Sequence, residues 1–156
     1  MDDTPNPTLQ VEIRELPVVR VGCMAYKPNG ETNNLGPELR QRFERVQAWV
    51  GELGLDPYTR LTIGSIVSAD ERLLRYECCL EIPDTVETCP EDIRIKKLPG
   101  GRFAVMSVDK EPQTVVESVR RFYEQWAPEH DLKIDAARPT YEIYWAETMD
   151  YCVPVL

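Results

Sequence analysis

The feature that most constrains this chain is a pattern that occurs twice. A β-rich stretch over residues 11–26, with Val18, Val19, Val21, Cys23, Met24 and Ala25 as a buried-looking strand, leads into an amphipathic helix. That helix is expected from about Pro37 to Leu53, because Leu39, Phe43, Val46, Val50 and Leu53 fall at steps of 4, 3, 4 and 3. Pro37 suits its first turn and Gly54 suits its end. Two strands follow, Leu61 to Ser68 and Leu73 to Ile82, joined by the polar turn Ala69-Asp70-Glu71-Arg72. The order then recurs. Ile93–Leu98 and Phe103–Val108 supply strand material around Gly100-Gly101, which reads as a hairpin turn. A second helix is expected from about Val115 to Trp126, with Val115, Val119, Phe122 and Trp126 at steps of 4, 3 and 4. Thr114-Val115-Val116-Glu117 fits a capping box at its start. Tyr141–Ala146 and Tyr151–Val155 read as closing strands. The strand cores at Val18 and Arg102 lie about 84 residues apart, a period that points to a duplicated module.

Each module reads as strand, helix, strand, strand, which makes the fold class α+β. One helix per three strands covers a single face of its sheet, so the other face is buried by something else or lines a cleft. The expectation is two such modules, about 11–85 and about 91–156, related by a pseudo-twofold axis with both helices on one side. Together they form a single domain over 11–156, preceded by a flexible arm over 1–10. Ligand sites favour concave junctions between modules, which places a central cleft at the joint.

Composition narrows the function. Eighteen basic against 27 acidic residues leave a net charge of −9, the opposite of the basic stripe that marks a nucleic-acid-binding body. No apolar run approaches the roughly 18 residues of a membrane span, and the acidic, proline-rich start is no signal peptide. Cys23, Cys78, Cys79, Cys89 and Cys152 are odd in number and lack paired spacing, as expected for reduced thiols in a cytoplasmic protein. With no C-x-x-C and only His130, neither a metal site nor a Ser-His-Asp or Cys-His mechanism is expected. The sequence carries no P-loop and no G-x-G-x-x-G, and no cofactor is expected.

Among the remaining candidates, Arg138-Pro139-Thr140-Tyr141-Glu142-Ile143-Tyr144-Trp145-Ala146 is the most informative stretch. Strand alternation sends Thr140, Glu142, Tyr144 and Ala146 to one face. Glu142 then either lies on a solvated face or pairs with an arginine such as Arg75 or Arg138. The alternative is a carboxylate on the floor of an apolar pocket, meeting a ligand cation or moving a proton. Trp49 falls on the flank of the first helix's apolar face, either as a boundary core residue or as a ring reaching a cleft edge. Val116 and Tyr123 hold the equivalent flank of the second helix. In Arg75-Tyr76-Glu77-Cys78-Cys79-Leu80-Glu81, alternation puts Glu77 and Glu81 on one face, where they are the wet side of a sheet or add negative potential to a cleft.

These pieces together resemble the GyrI-like small-molecule-binding domain, which is also the effector domain of the Rob and BmrR transcription regulators. The resemblance runs from about Val11 to Leu156. It rests on Val18-Val19-Arg20-Val21-Gly22, Ala48-Trp49-Val50, Leu74-Arg75-Tyr76-Glu77-Cys78, Leu98-Pro99-Gly100-Gly101-Arg102-Phe103-Ala104-Val105, Arg138 to Tyr144, and Cys152-Val153-Pro154-Val155. It implies an SHS2-type fold and an aromatic pocket between the halves, with a strand glutamate at its base that attracts lipophilic cations. Carried over residue by residue, that glutamate is Glu142, Tyr144 is the aromatic two positions on, and Trp49 is the helix aromatic. Tyr26, Glu77 and Phe103 are placed in the cleft by strand alternation alone. No helix-turn-helix region precedes Val11, so the likeness is to free-standing members, with no direct nucleic-acid contact expected. Three functions fit: binding of lipophilic cations, hydrolysis of cyclopropane-bearing toxins with Glu142 as acid or base, and interaction with a protein partner such as DNA gyrase or a regulator.

Overall fold

In the computed structural model, residues 9–27, 35–69 and 72–156 are described. Among these residues, eight strands and two main helices form the α+β fold. Each half opens with two strands rather than one: β1 (Val11–Leu16) and β2 (Val19–Tyr26) in the first, β5 (Arg94–Leu98) and β6 (Gly101–Asp109) in the second. The first half continues with α1 (Leu35–Glu52), β3 (Thr62–Ala69) and β4 (Arg72–Glu81). The second continues with α2 (Pro112–Arg121), β7 (Thr140–Tyr144) and β8 (Thr148–Pro154). The β-rich stretch expected as one strand is split at Pro17, which has no N–H to give a ladder, and Val18 is exposed in the connection. Most of the arm expected over 1–10, and residues 28–34 and 70–71 in two connections, lie outside the described residues.

All strands join one antiparallel sheet in the order β1-β6-β8-β7-β3-β4-β2-β5. Exchanging β1 with β5, β2 with β6, β3 with β7 and β4 with β8 turns this order into its own reverse. Two connections set the shape. β1 pairs with β6 near one edge, yet only Pro17 and Val18 separate it from β2, which pairs with β5 at the other edge. Likewise only Pro99 and Gly100 separate β5 from β6. Such short links bring the two edges together, so the sheet curls and closes over one of its faces. The Gly100-Gly101 turn is therefore no hairpin: the strands it joins pair with different partners on opposite edges.

The enclosed face carries one core cluster, with Val21, Cys23, Ile63, Cys79, Leu98, Phe103, Val105, Tyr141 and Cys152. Residues paired across an antiparallel ladder share a face, and the registers carry the opposite face from Leu80 through Tyr144 to Met149 and Val108. Both helices lie on that opposite face. α1 packs Val46, Trp49 and Val50 against Leu80, Ile82 and Ile93. α2 buries none of its own residues; the chain is anchored after it by Phe122 and Ala127, which pack on Ala104, Met106, Val108, Met149 and Val153. Glu111, not Thr114, caps α2, because Pro112 takes the first helical position, and Glu111 makes no side-chain cap bond. The helical run continues past Arg121 through a π-turn, Phe122–Trp126, to a last turn at Ala127–Glu129. Among the described residues no helix is long and apolar enough to cross a membrane.

Candidate ligand-binding site

Two helices on one sheet face leave a gap over the central strands. A cavity of about 460 Å³ occupies it, walled by Gly36 and Leu39 of α1 and by Pro112, Val115 and Val116 of α2. Ile66, Tyr76, Glu142, Tyr144 and Met149 form its floor, and Lys110 stands on its wall with its ammonium on the Ala146 carbonyl at 3.2 Å.

Glu142 sits on β7 opposite Gly64 of β3, which in turn pairs with Cys78 of β4. Tyr76, two residues before Cys78, lays its ring across β3 and donates from its hydroxyl to Glu142 Oε1 at 2.7 Å. A Cβ at position 64 would overlap that hydroxyl, so the missing side chain of Gly64 makes the contact available. Tyr144 donates to the same Oε1 at 2.9 Å, and the two phenol oxygens are 3.0 Å apart. Three oxygens thus share two phenolic protons: either both point at the carboxylate, or one bridges the phenols. Both bonds end on Oε1, and among the described residues no arginine or lysine forms an ion pair with Glu142. Phe43 of α1 stands edge-on to both rings, at 6.3 Å from Tyr76 and 5.8 Å from Tyr144. Burial first, and then the charge of Glu142, push the Tyr76 and Tyr144 phenols well above the ordinary tyrosine value. They remain neutral donors.

Of the other residues singled out in the sequence, Trp49, Tyr26, Phe103 and Glu77 are not brought to this cavity. Trp49 is 3% exposed and packs in the α1–sheet core, its ring resting on Gly22, where any Cβ would overlap it. Its flank position on the helix faces β2 rather than the cleft. Tyr26 shares the face of Tyr76 but lies one strand further from Glu142, under the guanidinium of Arg42 at 4.8 Å. Phe103 is on the enclosed face, stacked on Tyr141 at 5.3 Å and covered by Arg138. Glu77 also faces the enclosed side, one residue out of phase with Tyr76, and is neither wet nor beside Glu142. It is 4% exposed and ion-paired with Lys96 at 2.8 Å. Neither arginine proposed for Glu142 reaches it: Arg75 lies near Glu77, and Arg138 binds Asp135 and the carbonyls of Gly100, Arg102 and Val155. Tyr76 is a site residue that sequence reasoning misses: it pairs with Ile66, and its ring reaches diagonally over Gly64, a placement that only the strand register reveals. Val116 does line the cavity.

The family model for the GyrI-like small molecule binding domain matches residues 9–155. The chain belongs to this family. Solved structures with the GyrI-like fold agree at the level of architecture. The EcmrR C-terminal domain superposes with a TM-score of 0.68 at 15% identity, covering 96% of this chain and 98% of that one. A hydrolase from Listeria innocua gives 0.66 at 14% identity over 97% and 94%. SAV2435 bound to tetraphenylphosphonium gives 0.64 at 10% identity over 95% and 94%. A comparison with curated proteins found no match.

Proposed function

We propose that this GyrI-like domain binds lipophilic cations in the inter-helix cavity, with Glu142 as the counter-charge. The observation that carries the reading is the state of that carboxylate. It lies on an otherwise aromatic and aliphatic floor, held from one side by two phenols, with no cationic side chain paired to it among the described residues. A charge in such a place is costly unless paired, and a ligand cation supplies the pair. The faces of Tyr76 and Tyr144 add quadrupole attraction for the same charge. The structural likeness to SAV2435, solved with tetraphenylphosphonium, supports this ligand class. The palindromic strand order supports two duplicated modules about a pseudo-twofold axis, with the cavity at their joint and residues 11–156 acting as one binding domain. Calorimetric titration with tetraphenylphosphonium tests the reading: one saturable site per chain supports it, and no heat of binding rejects it.

A second reading is hydrolysis, favoured by the two phenol protons beside Glu142. A carboxylate next to neutral phenols can take a proton from water while a phenol gives one to a leaving group. Product analysis with an electrophilic cyclopropane substrate separates it from binding, since a pure binding domain returns the substrate unchanged.

A further inference from the structure

Pairing between β3 and β7 ends at Ile66 and Thr140, while β3 runs on beside β4 alone. A second cavity, of about 1050 Å³, passes this end of the ladder. It touches Val116, Tyr123 and Glu142 on the helix face and continues to Ser65, Arg75 and Lys96 on the other.

The charges on the far side are unlike the rest of this acidic chain. Arg75 and Lys96 both converge on Glu77 Oε1, at 3.6 and 2.8 Å, so two cations face one carboxylate. The group keeps one net positive charge, carried by side chains that are 40% and 30% exposed around a buried carboxylate. Among the described residues, Glu77 Oε2 accepts only from the Cys23 thiol, at 3.5 Å. One donor is left over there and a second is loosely held. Ser65 is 1% exposed and its Oγ has no hydrogen-bond partner among the described residues, while Arg75 Nε, the atom 3.6 Å from Glu77 Oε1, makes no hydrogen bond among them. A buried hydroxyl normally finds a partner, so one that lines a cavity beside excess positive charge is suited to an acceptor from outside the chain. Three other acids line the cavity. Asp135 is held by Arg138, Glu124 belongs to the stretch after α2, and Glu142 is on the opposite face of the sheet.

We infer that the far lobe of this cavity is a subsite for an organic anion, in which a carboxylate, sulfonate or phosphate meets Ser65, Arg75 and Lys96 while its apolar part lies against Val67 and Leu98. The subsite does not rest on the cation reading of Glu142. A ligand carrying both charges spans the two lobes.

The test uses a matched pair of fluorescent probes, the sulfonate 8-anilinonaphthalene-1-sulfonate and its uncharged relative N-phenyl-1-naphthylamine. The sulfonate binds the wild-type chain at one site, and Arg75→Gln and Ser65→Ala each weaken it by about threefold or more while the neutral probe is unchanged. Tetraphenylphosphonium affinity stays at the wild-type value in both variants, so a failure of the cation reading shows separately as no binding in the wild type. Ser65→Ala removes an unpartnered hydroxyl and leaves folding intact, which keeps the test informative if Arg75→Gln unfolds. Sulfonate affinity equal in wild type and Ser65→Ala, equal weakening of both probes, or no sulfonate binding at all overturns the proposal.

Discussion

Tyr76 and Glu142 are 66 positions apart in sequence and on strands that are not neighbours, yet their side chains meet at 2.7 Å across the intervening β3. Gly64 is the residue over which they meet. This relationship ties the two halves of the chain at the floor of the cavity. It also makes a glycine without any polar group a determinant of the site.

Gly64→Ala is therefore expected to displace the Tyr76 ring. The cost is that of overpacking plus a lost charge-assisted bond, about 1–3 kcal/mol, read from the denaturant midpoint. Tyr76→Phe, which removes the hydroxyl without inserting an atom, should cost less. A Gly64→Ala chain as stable as wild type would show that the ring does not lie across β3.

Trp49→Phe separates packing from ligand contact. The ring is enclosed between α1 and Gly22, so shrinking it should lower the melting temperature, with a destabilisation of roughly 1–3 kcal/mol. Tetraphenylphosphonium affinity should remain unchanged. Loss of affinity at wild-type stability would instead place the ring at the ligand.

The phenols set an alkaline limit. Burial raises Tyr76, Tyr141, Tyr144 and Tyr151 in the folded chain above the value of about 10 that a tyrosine has when unfolded. A folded-state value that is raised gives stability that is fully present below the unfolded value and lost as pH climbs toward the folded one, because the unfolded chain releases its protons first. Stability should thus fall from about pH 10 upward. Tyrosinate absorbance of the folded chain near pH 11 should show those four still neutral. All seven tyrosines titrating together near pH 10 in a folded chain would contradict this burial.

Thiol reactivity offers an independent check on the core. Cys23, Cys78, Cys79 and Cys152 are buried and Cys89 is exposed. Burial pushes Cys78 and Cys152 up to about 12, so at pH 8 these two are almost wholly thiol, the unreactive form. A chromogenic disulfide reagent should modify Cys89 rapidly under native conditions and the other four only after denaturation. Rapid reaction of a second thiol would mean that the sheet opens far more readily than its packing implies.

The sequence made the repeated order of elements legible because helix stripes and strand alternation are local signals. Strand alternation also puts Glu142 and Tyr144 on one face of one strand, and both line the inter-helix cavity. What it concealed depended on pairing. Pro99 and Gly100 look like a hairpin turn until the strands on either side are known to pair with opposite edges of a curled sheet. Alternation put Glu77 and Phe103 on a definite side of their strands but not on a definite side of the molecule, and both fall on the enclosed face. The flank angle of Trp49 was compatible with the cleft, and only Gly22 beneath it explains why the ring turns to the core. The role of Tyr76 is invisible to local patterns because its partner, Glu142, comes from the other half of the chain.

The most direct test of the account is tetraphenylphosphonium affinity measured by calorimetry on wild type and Glu142→Gln, alongside the uncharged triphenylphosphine oxide. Glutamine keeps the shape and an acceptor for the Tyr76 and Tyr144 hydroxyls while removing the charge. Cation affinity should fall by about tenfold to a hundredfold, the neutral ligand should bind as before, and the melting temperature should hold or rise slightly. Unchanged cation affinity in a folded Glu142→Gln chain would contradict the central claim.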